Sequence, residues 1–117
     1  MTAYAIARVN TVDFCDDIVE YLRRIDATLE PYGGRFLVHG GKPDVVEGSW
    51  GPDVIIIQFP DRHRLRAWWD SPEYREILPL RTRHMDADIV FADGVPDGYR
   101  AAKLVNAAAP DGAPPQA

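Results

Sequence analysis

The order in which the hydrophobic period switches between two and about 3.6 residues constrains this chain more than any motif in it. Residues 3–12, AYAIARVNTV, alternate and are rich in β-formers, which reads as a first strand. Tyr4, Ile6, Arg8 and Asn10 fall on one of its faces, and Ala5, Ala7 and Val9 on the other. From Asp13 the apolar residues Phe14, Ile18, Leu22, Ile25 and Leu29 recur at three or four positions, so an amphipathic helix follows. Asp16 and Asp17 suit the positive end of its dipole. Pro31, Gly33 and Gly34 end it, because proline cannot continue a helix and glycine accepts the left-handed capping conformation. A second strand spans about 35–39. After Gly40, Gly41 and Pro43 come the segment VVEG and the turn SWGP, and then DVIIIQFP, whose β-branched run reads as a buried third strand.

The second half repeats the pattern. Asp61 can cap a helix containing Leu65, Trp68 and Trp69, and Ser71 followed by Pro72 signals a fresh N-cap with proline at the first helical position. The helix is therefore expected to restart near residue 71, with Tyr74, Ile77 and Leu78 continuing the apolar stripe and Pro79 disturbing it. DADIVFADG alternates as a fourth strand ending at Gly94.

The order strand, helix, strand, strand, helix, strand gives an α+β, ferredoxin-like βαββαβ subunit, an antiparallel sheet with two helices on one face. Its other face would be left as a broad apolar surface, and a two-fold partner sheet is the simplest cover, so a homodimer is expected. The 117 residues suffice for one domain, assigned to residues 1–99. Residues 100–117, ending AAAPDGAPPQA, read as an Ala/Pro-rich flexible tail too small and polar to anchor a core.

With a formal charge of −5 and 26% charged residues, the chain lacks the basic footprint of a nucleic-acid binder. Arg62, His63, Arg64 and Arg66 form a local basic run that reads as a solvated helix face. A single cysteine, Cys15, excludes an internal disulfide. The start MTAYAIARVN has no secretion-signal pattern and no window is apolar enough to span a bilayer, so a cytoplasmic protein that does not engage membranes is expected.

The glycine pairs of YGGRFLVHGG, residues 32–41, do not make a phosphate loop. Lys42 follows Gly41, but Phe36 stands where the first glycine is required and Pro43 where the hydroxyl is required. Read as a strand, Arg35, Leu37 and His39 share one face, which puts a cation and a titratable imidazole on one wall, where a buried Arg35 would need a carboxylate partner such as Glu47; the alternative is an edge strand with Arg35 paired to a surface carboxylate and His39 solvated. His39, His63 and His84 show no metal-ligand spacing and no cysteine partner, so no metal is expected, although one histidine could still serve as an axial haem ligand. Cys15 suits the inner helix face as inert filling. Trp68, Trp69 and Tyr74 sit at core-like helical spacing, and one of the two adjacent tryptophans must point elsewhere, into a dimer contact or a pocket.

YGGRFLVHGG, VVEGSW, IIIQFP, AWWDSPEYREILPLR and VFADGV together resemble the domain of unknown function 1330 family of the dimeric α+β barrel superfamily, over about residues 3–95. The resemblance implies a ferredoxin-like subunit that dimerises through its sheets. It places the family's characteristic polar positions on Arg35, Glu47, Ser71, Tyr74 and Arg81, and Gln58 departs from the glutamate common before Phe-Pro. The superfamily includes cofactor-free monooxygenases, isomerases, cyclases and haem enzymes.

These readings lead to an expected cofactor-free enzyme for an anionic or enolisable metabolite. Arg35 and Arg81 would hold a carboxylate or enolate, and His39 would move the proton. Tyr74 and Ser71 would orient the substrate, with Glu47 and Trp69 completing the site. The alternative is a non-catalytic metabolite-binding or pathway accessory protein.

Overall fold

Alternating β-branched and small residues build the sheet. In the computed structural model, which describes residues 1–107, the strands are β1 (Ala3–Val12), β2 (Arg35–Val38), β3 (Asp53–Phe59) and β4 (Met85–Asp93). They form one antiparallel sheet in the order β2-β3-β1-β4. β1 is central, pairing with β3 from Ala3↔Phe59 to Val9↔Asp53 and with β4 from Ala3↔Asp93 to Val12↔Met85. This register puts Ala3, Ala5, Ala7 and Val9 on one face with Ile55, Ile57, Phe59, Ala87, Ile89 and Phe91. The small alanines of the central strand leave room above the sheet, and that room becomes the cavity described below.

The helices cover this face. α1 (Asp16–Leu29) buries Ile18, Tyr21, Ile25, Thr28 and Leu29. Phe14, expected on its inner face, precedes the helix and is 68% exposed. Cys15 likewise stands at the N-cap position, half-buried, rather than inside as core filling. A single 3-10 turn, Glu30–Tyr32, follows α1, and Gly33 takes the left-handed φ of 71° that closes it. Gly34 is needed for packing, since a Cβ there would lie 2.6 Å from the Phe59 ring and 2.9 Å from Leu29.

The second helical segment is divided as the Ser-Pro pair implies. α2 (Arg62–Trp69) is capped by Asp61, whose Oδ1 accepts from the Arg64 amide at 2.7 Å. α3 (Pro72–Thr82) is capped by Ser71, whose Oγ accepts from the Tyr74 amide at 3.2 Å and donates to the Trp68 carbonyl at 2.7 Å. Pro79 does not end α3. It forfeits one amide donor, yet the helix continues to Thr82 because Ile77, Leu78 and Leu80 pack against the core on both sides of it.

The core is continuous through Phe59, Leu65, Trp68, Tyr74 and Ile77. The opposite face of the sheet carries Tyr4, Ile6, Val54, Ile56 and Val90 without a covering helix among the described residues, and Val90 is 58% exposed. Within the tail expected to be flexible, residues Lys103–Ala107 form a short helix, α4; residues 108–117 lie outside the described residues. Among the described residues no helix is long and apolar enough to cross a membrane.

Candidate functional site

The inner sheet face and the helices enclose a cavity of about 60 Å³ that opens to solvent at one side. Its floor is Ala5, Ala7, Ile55, Ile57, Met85, Ala87 and Ile89, and its roof is Ile18, Leu22, Ile25, Trp68 and Trp69. Polar atoms enter from few places. Tyr21, Tyr74 and Arg81 supply them from α1 and α3, and His39 from just beyond β2. A mostly apolar wall with a few convergent polar groups is the general form of a small-molecule site.

Tyr74 and Arg81 are seven residues apart, two turns of α3, and so project from one helix face. The Tyr74 and Tyr21 hydroxyls meet at 2.8 Å, with the rings edge to face. The Arg81 guanidinium lies 5.9 Å from the centre of the Tyr21 ring. Burial, with Tyr74 beside it, pushes the Tyr21 phenol well above its ordinary value, so Tyr21 is a neutral hydroxyl at working pH.

Arg81 is the exceptional group. It is 7% exposed and is the only charged side chain buried among the described residues. The ion pairs among those residues engage Arg24, Arg62, Arg64, Arg75 and His84, and none reaches Arg81. Burial works against its charge, but Tyr74 and Tyr21 outweigh that and hold it above the usual arginine value. A buried guanidinium without a carboxylate is an uncompensated cation facing an apolar space.

The cavity thus brings together His39, Trp69, Tyr74 and Arg81 of the residues singled out from the sequence. It does not include Arg35, Glu47 or Ser71. The shared wall of Arg35 and His39 is corrected by a register shift in β2. Arg35 pairs with Gln58 and Phe36 with Ile57, but Val38 pairs with Ile56, so Leu37 is an extra residue and the parity reverses after it. His39 consequently stacks on Phe36, with centroids 4.2 Å apart and planes at 9°, and joins the cavity, while Arg35 stays exposed on the other side.

Glu47 is exposed in the β2–β3 connection, and the suggested ion pair with Arg35 is not among those formed. The Ser71 hydroxyl is occupied at the helix cap. The basic run on α2 is largely engaged within the subunit. Arg62 meets Asp93 at 3.0 Å, Arg64 meets Asp61 at 3.7 Å and Arg66 lies 4.9 Å from the Phe91 ring centre.

The tryptophan pair divides as adjacency requires. Trp68 is a core residue whose Nε1 donates to Thr28 Oγ1 at 3.0 Å, whereas Trp69 is half-buried, edge-on to Phe91 and beneath the Arg75 guanidinium at 5.2 Å. Tyr21 is the site residue that sequence reasoning missed. The signal was present, since it lies three residues after Ile18 and four before Ile25.

The family model described as Domain of unknown function (DUF1330) matches residues 2–95. No curated protein matches the chain. Among solved structures, the chain is similar to a protein of unknown function from Rhodopseudomonas palustris (17% identity, 81% of this chain and 83% of that one, TM-score 0.64). It is similar also to a dimeric ferredoxin-like protein of unknown function from Jannaschia sp. CCS1 (13% identity, 80% and 100%, TM-score 0.62). A third is SnoaB, a cofactor-independent oxygenase from Streptomyces nogalater (12% identity, 85% and 98%, TM-score 0.61). At these identities the likeness is one of fold.

Proposed function

The chain belongs to the family described as Domain of unknown function (DUF1330), a membership that assigns no reaction, and we propose that its cavity takes a small, largely apolar molecule bearing one anionic or enolisable group. The observation that carries this reading is Arg81, a buried cation without a carboxylate partner among the described residues, on the wall of an apolar cavity. An incoming carboxylate or enolate supplies the missing negative charge, and the planar guanidinium offers it a fork of donors. The Tyr21 and Tyr74 hydroxyls give a further donor beside that charge.

Such a site is suited to acid–base chemistry that needs no cofactor. His39 is the group placed to take a proton from carbon next to a carbonyl, and Arg81 with the tyrosines stabilises the enolate that forms. Reprotonation at a second atom, ring closure or reaction with dioxygen would then complete an isomerisation, cyclisation or oxygenation. The fold shared with a cofactor-independent oxygenase supports this class by analogy alone. Trp69 shapes the apolar wall.

The exposure of His39 at the edge of the sheet favours a second reading, in which the site binds its metabolite without turning it over. In either case a second copy of the chain covers the open sheet face, as the apolar Ile6, Val54, Ile56 and Val90 and the dimeric relatives of this fold support.

Native mass spectrometry of the purified protein tests for a co-purifying anionic metabolite. Calorimetric titration with 2-naphthoate and its neutral amide, 2-naphthamide, tests the charge requirement. Binding of the acid at least about tenfold tighter, roughly 1.4 kcal/mol, is expected; equal binding of the two overturns the reading. With a substrate in hand, His39→Ala that lowers kcat at least about tenfold and leaves binding intact separates catalysis from sequestration.

A further inference from the structure

We propose that Asp13, Cys15 and His84 form a binding site for a zinc-type divalent cation, separate from the cavity. Asp13 and Cys15 belong to the short connection between β1 and α1, and His84 to that between α3 and β4. The two connections are fastened together, since the Asp13 amide donates to the His84 carbonyl at 2.7 Å. A carboxylate oxygen, the thiol sulfur and a ring nitrogen then lie within 4.8 Å of one another. Around tetrahedral zinc, with metal–ligand bonds of about 2.0–2.3 Å, ligand atoms sit roughly 3.3–3.8 Å apart, so small side-chain rotations close the set.

The donor chemistry points to the metal. A thiolate, an imidazole and a carboxylate together suit zinc better than calcium or magnesium, and three protein ligands leave a fourth position for water. His84 has the outer support that metal-binding histidines generally have, because its Nε2 lies 2.9 Å from Asp17 Oδ2. That contact engages Nε2 and leaves Nδ1 as the nitrogen open to the ion. Cys15 occupies a helix N-cap position but makes no side-chain cap hydrogen bond, so its thiol is not used in capping. A shallow open groove lined by Asp13, His84 and Asp86 gives the ion an approach, with Arg83 as an opposing charge along it.

The test uses the full-length chain without an affinity tag, titrated with zinc and with cobalt as its spectroscopic substitute. One cobalt per chain, with a thiolate-to-metal charge-transfer band that Cys15→Ser abolishes, is expected. Asp17→Asn should weaken zinc binding about 10–100-fold through loss of the outer partner. Zinc should also slow alkylation of Cys15 in the wild-type protein, a measurement that does not depend on any variant folding. Absence of the charge-transfer band, an alkylation rate unchanged by zinc, or equal zinc affinity in Cys15→Ser would each overturn the assignment.

Discussion

Replacing Arg81 with methionine separates a binding role for this residue from a structural one, because the two roles predict opposite changes in stability. Arg81 as a residue is 7% exposed, no ion pair among the described residues reaches it, and the Tyr21 and Tyr74 hydroxyls satisfy each other at 2.8 Å. A structural member of a buried charge pair costs about 3–5 kcal/mol to remove, since its partner is stranded. Arg81 has no such partner among the described residues, and methionine retains much of the buried stem. Urea denaturation of Arg81→Met should therefore show stability unchanged or raised, by up to about 4 kcal/mol. Binding should move the other way, since a hydrogen bond to a charged group contributes about 1.5–3 kcal/mol, or roughly 10–150-fold in the affinity for 2-naphthoate. A variant destabilised by more than about 3 kcal/mol that still binds naphthoate normally refutes the argument.

Four other perturbations test the frame around the site. Ser71→Ala removes the α3 cap and should cost about 1 kcal/mol in denaturant unfolding, with naphthoate affinity unchanged because Ser71 lies outside the cavity. Gly34→Ala forces a methyl against Phe59 and Leu29 and should destabilise by about 1–3 kcal/mol, visible as a lower Tm. Tyr21 gives an alkaline signature. Its folded-state pKa is raised, so above its unfolded value near 10 the native chain keeps a proton that the unfolded chain has lost. Stability from this group is complete below about pH 10 and declines above it, with a slope approaching about 1.4 kcal/mol per pH unit that Tyr21→Phe should remove in denaturation series at rising pH. Ile56→Lys places a charge on the open sheet face and should shift the sedimentation of the proposed dimer to that of a monomer; a wild-type protein already monomeric at micromolar concentration would refute the dimer.

Features set by near neighbours in the chain were legible in the sequence. The caps at Asp61 and Ser71, the left-handed turn at Gly33 and the alternation of β1 each depend on a few adjacent residues, and each is found in the structure. The order of these elements follows from the same local periods, and the topology follows from the order, because crossover handedness leaves few alternatives. Tyr21 was equally legible, at helical spacing between Ile18 and Ile25.

What tertiary structure decided is the position of side chains whose neighbours are distant in the chain. The extra residue at Leu37 arises from pairing with β3, and it moved His39 onto the cavity side and away from Arg35. The lack of a carboxylate for Arg81 among the described residues is a property of everything packed around α3, which no local pattern encodes. The approach of Cys15 to His84 likewise requires the two connections to be fastened at one end of the sheet. Local sequence determined the elements and their order, because backbone preference acts over a turn or a strand. The folded core determined which faces meet, because burial and charge compensation are sums over the whole packed chain.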